Sequence, residues 1–136
     1  MIAPRKHSGP NVVDSSAWLE YFADGPGAEH FASAIEAVDR LVVPAICVLE
    51  VFKVVLRQRG EGDALQAVAL MQQGTVVDLD ASLALAAAKI GIDHKLPLAD
   101  SVVYATAQQV GGVVWTQDDF DGLPNVEFFR KGASDG

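Results

Sequence analysis

Two patterns of apolar residues alternate along this chain. Short runs of consecutive apolar residues are typical of buried strands, and apolar residues that recur every three or four positions are typical of one helix face. The short runs predict five strands, at residues 11–14, 41–43, 75–78, 113–116 and 126–129. The longer periodic segments predict six helices, at residues 15–22, 29–38, 44–59, 63–73, 80–91 and 98–110.

Short strands that alternate with helices predict an α/β sandwich with a mainly parallel sheet. Pro44 suits the first turn of the third helix, and Asp80 suits the N-cap of the fifth. Gly91 is expected to end that fifth helix. In parallel sheets, functional residues collect beyond the carboxyl ends of the strands, so acids at those positions are the first candidates for a site.

The chain of 136 residues is expected to form one domain over residues 11–130, with flexible ends at 1–10 and 131–136. Half of the residues are apolar and the mean hydropathy is +0.22, so a core is available. The single cysteine, Cys47, excludes an internal disulfide and fits a reducing compartment. No apolar run approaches the ~20 residues of a membrane span, and the start lacks the pattern of a secretory signal. We therefore expect a cytoplasmic protein without a membrane segment.

The net charge is −8 and the isoelectric point is near 4.6. This charge argues against a protein that holds nucleic acid by a broad basic surface, because phosphate binding normally needs clustered Lys and Arg. Two interpretations stay open. The chain is simply an acidic protein, or some of its acids gather to hold cations that then meet an anionic substrate.

Two candidate acids lie near the starts of predicted helices, one just before its helix and one within it. Asp14 follows the first strand, where an aspartate often caps the next helix, but Ser15 and Ser16 are equally suited to capping. Glu50 lies in a helix that is apolar nearly all round, which predicts burial and hence a partner or a metal for its carboxylate. The alternative for Glu50 is an ion pair with Lys53 on a narrow exposed stripe.

Two further candidates lie late in the chain. Asp100 falls in the first turn of the sixth helix, where the helix macrodipole alone favours an anion. Asp118 follows the fourth strand in a turn that also contains Asp119, and acids are common in surface turns. Thr116 is placed to orient Asp118 through its hydroxyl.

Taken together, the four acids point to a metal site. Converging carboxylates repel one another, and a divalent cation removes that repulsion. Mg²⁺ takes oxygen ligands, and two such ions can activate a water and stabilise the leaving oxygen of a phosphodiester. Because the candidate ligands are carboxylates and the His and Cys residues show no zinc-ligand spacing, Mg²⁺ or Mn²⁺ is favoured over Zn²⁺.

Four blocks of this sequence resemble the PIN-domain family, and within it the VapC-type ribonuclease toxins of bacterial toxin–antitoxin pairs. The blocks are VVDSSAWL at 12–19, PAICVLEVF at 44–52, LPLADSVVYATA at 96–107 and WTQDDF at 115–120. No block is specific alone, but their order and spacing together cover nearly the whole chain.

The resemblance implies a three-layer sandwich with a parallel five-stranded sheet flanked by helices, usually as a homodimer. It implies Mg²⁺- or Mn²⁺-dependent endonucleolytic cleavage of RNA, and a cognate antitoxin that inhibits it. The metal-binding and catalytic acids would be Asp14, Glu50, Asp100 and Asp118, with Ser16 and Thr116 in support. The sequence departs from the family pattern in the fourth block, where Asp119 competes with Asp118. We favour Asp118, because it keeps the family's Thr-x-Asp spacing.

Two other functions remain to be weighed. A Mg²⁺-dependent phosphatase or phosphoacceptor domain also uses aspartates at strand ends, but no acid follows two residues after Asp14, and no lysine ends the fourth strand. A non-catalytic PIN-like binding module would not need all four acids. Cleavage of mixed RNA in the presence of metal separates the nuclease from the binding module.

Overall fold

The computed structural model describes residues 9–120 and 122–130 of the chain. Its strands are β1 Asn11–Val13, β2 Leu41–Pro44, β3 Thr75–Val77, β4 Val113–Thr116 and β5 Val126–Phe128. Its helices are α1 Ser15–Phe22, α2 Ala28–Ile35, α3 Ala45–Arg59, α4 Glu61–Met71, α5 Ala81–His94 and α6 Leu98–Val110, with a 3₁₀ helix at Val38–Arg40.

The five strands form one sheet in the order β3-β2-β1-β4-β5, and every neighbouring pair is parallel. The predicted fold class is therefore confirmed. Successive residues of a strand point to opposite faces of the sheet. In the central strand β1, both Val12 and Val13 are completely buried, so the helices cover both faces. The largest fully buried side chains around this strand are Trp18, Phe31, Leu41 and Met71.

The strand order creates a switch point beside β1. From β1 the chain proceeds through α1 and α2 to β2 on one side, and it returns much later to β4 on the other side. Connections that leave in opposite directions open a crevice at the carboxyl ends of β1 and β4. Asp14 directly follows β1 and Asp118 follows β4 by two residues, so the fold brings both to this crevice.

The predicted end of α5 at Gly91 is wrong, because the helix continues through Gly91 to His94. The close approach of α6 explains the glycine, since a Cβ at position 91 would lie 2.7 Å from the hydroxyl of Ser101. The helix ends instead at Lys95, which adopts the left-handed conformation with φ 54°. Gly91 is thus a packing residue inside the helix and not its terminator.

The prediction that α3 is buried all round is also wrong. Its buried face consists of Cys47, Val51 and Val55, whereas Leu49 is 63% exposed. Glu50 therefore lies at the half-buried border of the helix and not deep within the core.

Two further expectations concern the ends of the chain and the membrane. Most of the predicted flexible ends, 1–8 and 131–136, lie outside the described residues. Within the described part of the chain, no helix is both long and apolar enough to cross a membrane.

Candidate metal centre

Asp14 is the buried centre of the site, with only 1% of its surface exposed. It stands at the N-cap position of α1, but its carboxylate does not cap the helix. Instead, Oδ2 accepts hydrogen bonds of 2.8 Å from the hydroxyls of Ser16 and Thr116. Asp14 therefore does not act as the side-chain cap of α1, which was the alternative interpretation of this residue.

The other oxygen of Asp14, Oδ1, is buried and has no hydrogen-bond partner. A buried acceptor without a partner is rare in folded proteins because its desolvation is left uncompensated. The unpartnered Oδ1 therefore indicates that a bound group, such as a cation, completes the surroundings of this carboxylate.

Two further carboxylates converge on Asp14. Asp100, in the first turn of α6, is 7% exposed, and Asp118, in the loop after β4, is half-buried. One ligand oxygen from each of the three aspartates lies within 4.8 Å of the other two. Three of the four acids predicted from the sequence thus meet at one point.

The loop that carries Asp118 is fixed by the same hydroxyls that hold Asp14. The backbone N–H of Gln117 donates to Ser16 Oγ at 2.9 Å, and that of Asp118 donates to Thr116 Oγ1 at 2.8 Å. Each hydroxyl therefore donates to Asp14 and accepts from the loop. Asp119 is exposed and lies outside the three-aspartate cluster, so the competition between the two neighbouring acids is decided in favour of Asp118 for membership of that cluster.

Glu50 lies beside the cluster but not within it. Its Oε1 accepts a 2.8 Å hydrogen bond from the hydroxyl of Ser15, the first residue of α1. Within the described chain it forms no ion pair with Lys53, which is exposed. The charge of Glu50 nevertheless contributes, after burial and the charges of Asp14 and Asp118, to raising the pKa of Asp100.

Burial and mutual repulsion raise the pKa values of two carboxyl groups in the cluster. Burial, followed by the charge of Asp118, raises the pKa of Asp14 from its ordinary 3.8 to about 6, against the opposing hydrogen bonds from Ser16 and Thr116. Burial, followed by the charges of Asp14 and Asp118, raises the pKa of Asp100 to about 8. At neutral pH the cluster therefore holds protons that a cation would displace.

The residues present fit a hard divalent cation. Mg²⁺ and Ca²⁺ bind oxygen ligands at about 2.0–2.6 Å, so ligands on opposite sides of one ion lie roughly 4–5 Å apart. The 4.8 Å limit of the aspartate cluster agrees with that spacing, and Oδ1 of Asp14 has no other partner. No histidine lies in the cluster, and the donors are all oxygen, which suits Mg²⁺ or Mn²⁺ better than Zn²⁺.

Two residues beside the site were not predicted from the sequence. Ser15 was considered only as a helix cap, yet it holds Glu50. The sequence analysis used Cys47 only to infer a reducing compartment, yet its side chain is fully buried. Burial, followed by the charges of Asp14 and Glu50, raises the pKa of its thiol well above the usual value. The one sequence feature that could have indicated the role of Ser15 is the pair of adjacent serines after Asp14. The hydroxyl of Ser15 binds Glu50 of α3, whereas that of Ser16 binds Asp14 and the loop after β4.

The fold and the site together define a class: parallel α/β domains with a carboxylate cluster at the switch point of the sheet. Within that class, the PIN domain family matches residues 12–124. The chain therefore belongs to the PIN domain family, as its four sequence blocks predicted. No curated protein matches the sequence significantly.

The solved structures with a similar fold include two toxin–antitoxin complexes and one toxin. A toxin–antitoxin complex from Klebsiella pneumoniae matches at a TM-score of 0.70 and 21% identity, over 87% of this chain and 95% of that one. VapC20 of Mycobacterium tuberculosis, a toxin that cleaves the sarcin-ricin loop, matches at 0.69 and 21%, over 85% and 95%. DNA-bound VapBC from Salmonella typhimurium matches at 0.69 and 16%, over 90% and 98%. At these identities the similarity establishes a shared fold.

Proposed function

We propose that this protein is a metal-dependent endoribonuclease and the toxin of a toxin–antitoxin pair. The observation that carries the proposal is the convergence of Asp14, Asp100 and Asp118, together with the buried Oδ1 of Asp14 that has no hydrogen-bond partner. Membership of the PIN domain family supports it, as do similar folds in a toxin–antitoxin complex and in a toxin that cleaves the sarcin-ricin loop.

Asp14, Asp100 and Asp118 would hold Mg²⁺ or Mn²⁺. When bound, such ions neutralise the carboxylates, lower the pKa of water and stabilise the charge that develops on a phosphodiester during hydrolysis. Glu50 lies outside the three aspartates and close to Asp100, where it would hold a second cation or a water. Local neutralisation also explains how a protein of net charge −8 accepts RNA without a broad basic surface.

The neighbouring side chains keep this geometry fixed. Ser16 and Thr116 both donate hydrogen bonds to Oδ2 of Asp14, which leaves Oδ1 without a hydrogen-bond partner. The same hydroxyls hold the backbone of the loop that carries Asp118. A carboxylate held in this way is preorganised, so binding of the cation does not require its side chain to be ordered anew.

The experiment is cleavage of a mixed RNA pool by the purified protein, with EDTA and then with Mg²⁺ or Mn²⁺ restored. We expect cleavage only with metal, and its loss in D14N and D100N, both of which remain folded by thermal unfolding. Metal-stimulated RNA binding without cleavage would instead indicate a non-catalytic binding module. Release of phosphate from a phosphomonoester without RNA cleavage would indicate a phosphatase.

The proposed partner is a small antitoxin. Before metal binds, the aspartate cluster is an anionic cleft, which an arginine of the inhibitor would enter because its planar guanidinium pairs with carboxylates. We expect co-expression with the small protein encoded next to this one to give a complex without nuclease activity. An inhibitor that remains fully active after all its arginines are replaced contradicts this mechanism, although not the partnership.

We also propose that the protein acts as a homodimer in the cytoplasm. Leu85 and Ile92 are seven residues apart on one face of α5, and Leu98 is the first residue of α6; these large apolar side chains are 74%, 81% and 82% exposed. A contiguous exposed apolar patch is typical of an interaction surface. Sedimentation equilibrium should give a dimer for the native chain and a monomer for I92E, whereas E61Q on the remote α4 remains dimeric.

A further inference from the structure

A groove leads away from the aspartate cluster between α1, α3 and α4. Its volume is about 510 Å³, within the roughly 300–1,000 Å³ typical of sites for small ligands. Ser16, Gln117 and Asp118 line its inner end, so the groove and the cluster are continuous. A polymer whose backbone crosses the cluster can therefore place the neighbouring monomer in this groove.

The middle of the groove is apolar. Leu19 and Phe22 of α1 face Val55 of α3 and Leu70 of α4 across it. Phe22 is half-buried and its ring stacks on Trp18, with the centroids 5.6 Å apart, so its position is fixed. Rigid aromatic and aliphatic walls suit a flat ring such as a nucleobase, and bases of single-stranded RNA are commonly held in this way.

Two hydrogen-bond donors without protein partners mark the ends of the groove. At the inner end, Nε2 of Gln117 is buried and unpartnered. At the outer end lies Arg59, which is exposed and has no ion pair or hydrogen bond within residues 9–120 and 122–130. Arg59 follows Glu50 by nine residues of α3, a rise of about 13 Å along the helix. An occupant with an acceptor at one end and an anion at the other would satisfy both donors.

Two acids besides Asp118 line the groove, Glu20 and Asp63. Oε2 of Glu20 accepts a 2.6 Å hydrogen bond from the backbone N–H of Gly27, so that carboxylate is already engaged. Asp63 lies in the first turn of α4, where the positive end of the helix dipole partly offsets its charge. Among the described residues that line the groove, Arg59 is the one with a positive charge, so an anionic part of the occupant would bind there.

From these features we infer that the groove is a subsite for one nucleotide next to the scissile phosphate of single-stranded RNA. The base lies against Phe22 and Leu19, the amide of Gln117 hydrogen-bonds an acceptor on the base or ribose, and Arg59 binds the following phosphate. The inference rests on the proposed ribonuclease function and adds to it the residues that select the substrate around the cleaved bond.

Arg57 provides a matched control for Arg59. Both are exposed arginines of the last turn of α3, but only Arg59 lines the groove. We would measure the Kd of a single-stranded RNA decamer for D100N, which prevents cleavage, and for D100N combined with R59A or R57A, over a series of KCl concentrations with Mg²⁺ present. The R59A variant should raise Kd at least about tenfold and lower the slope of log Kd against log salt by about 0.7, the value for one phosphate on a single strand. The R57A variant should change neither quantity.

Gln117 is tested separately, in the active protein. Q117L keeps the backbone N–H that binds Ser16 and removes only the amide, so it should alter the base preference next to the cleavage site while the metal dependence stays the same. Equal effects of R59A and R57A, or none from either, would overturn the subsite. Unchanged RNA binding by R59A with weakened inhibition by a protein partner would also overturn it and assign the groove to that partner. A native protein that cleaves no RNA would refute the proposed function itself, which is a different outcome.

Discussion

The hydroxyl of Thr116 donates a 2.8 Å hydrogen bond to Oδ2 of Asp14, and this bond joins the carboxyl ends of β4 and β1. The same hydroxyl accepts the backbone N–H of Asp118 at 2.8 Å. One side chain therefore fixes two of the three clustered acids, one from each side of the switch point. This hydrogen bond is shielded from solvent, because Thr116 and Asp14 are both buried.

Replacing Thr116 by valine should weaken metal binding without unfolding the protein. T116V keeps the shape of the side chain but removes the donor to Asp14 and the acceptor for Asp118. Residues that hold metal ligands typically contribute about 10- to 100-fold to metal affinity or activity, so we expect a loss of that size in Mn²⁺ affinity and RNA cleavage. T116S, which keeps the hydroxyl, is the control and should retain most of both. Full Mn²⁺ affinity in T116V would contradict the positioning role.

The metal-free protein should lose stability as the pH rises. Because the pKa of Asp14 is raised to about 6 and that of Asp100 to about 8, the folded state holds protons that the unfolded state releases near pH 4. The contribution of these groups to the free energy of unfolding therefore falls from about pH 4 to about pH 8. Denaturation in EDTA at a series of pH values measures this fall. D100N should flatten it, D119N should not, and saturating Mg²⁺ should restore stability at pH 8.

Ser15 should act through Glu50. The hydroxyl of Ser15 donates to Oε1 of Glu50, so S15A frees that carboxylate and should reduce cleavage by about tenfold. In the E50Q background, S15A should cause little further loss, since residues in direct contact are strongly coupled. S33A removes an exposed hydroxyl that bonds only the carbonyl of His30, and serves as the control. Independent, multiplying losses from S15A and E50Q would show that Ser15 has another role.

Two glycines test the packing that carries the site. A Cβ at Gly112 would lie 2.6 Å from the carbonyl oxygen of Pro10, at the entry to the adjacent strands β4 and β1. G112A should therefore destabilise the protein by about 1–3 kcal/mol through overpacking. A Cβ at Gly62, in the first turn of α4, meets nothing within 4 Å. G62A should stabilise by about 0.5–1 kcal/mol, and chemical denaturation of both variants measures the contrast.

Most of the fold was predictable because its elements are short and strongly patterned. The apolar runs located the five strands to within one residue at each end, and α6 was predicted with both of its bounds correct. The end of α5 was not, because the need for glycine at position 91 arises from the Ser101 side chain of another helix. A contact between helices leaves no local trace that distinguishes a packing glycine from a terminating one.

The site was predictable to the level of its acids and not of their partners. Position relative to strand ends identified Asp14 and Asp118 as candidates, while Asp14 taken alone was better explained as a helix cap. Only the coordinates show that both hydroxyls bind Oδ2 and that Oδ1 stays unpartnered. The bond between Ser15 and Glu50 spans 35 residues, and no pattern in either segment specifies it.

In the proposed function, Asp14, Asp100 and Asp118 together hold the divalent cation on which catalysis depends. The most direct measurement is Mn²⁺ affinity, determined by the loss of the free-ion signal in electron paramagnetic resonance, for the native protein, D118N and D119N. Asp118 and Asp119 are adjacent and carry the same charge, but only Asp118 belongs to the cluster. We expect saturable binding to the native protein, at least about tenfold weaker binding to D118N, and unchanged binding to D119N. Equal losses in D118N and D119N, or no binding to the native protein, would contradict a metal site formed by these three aspartates.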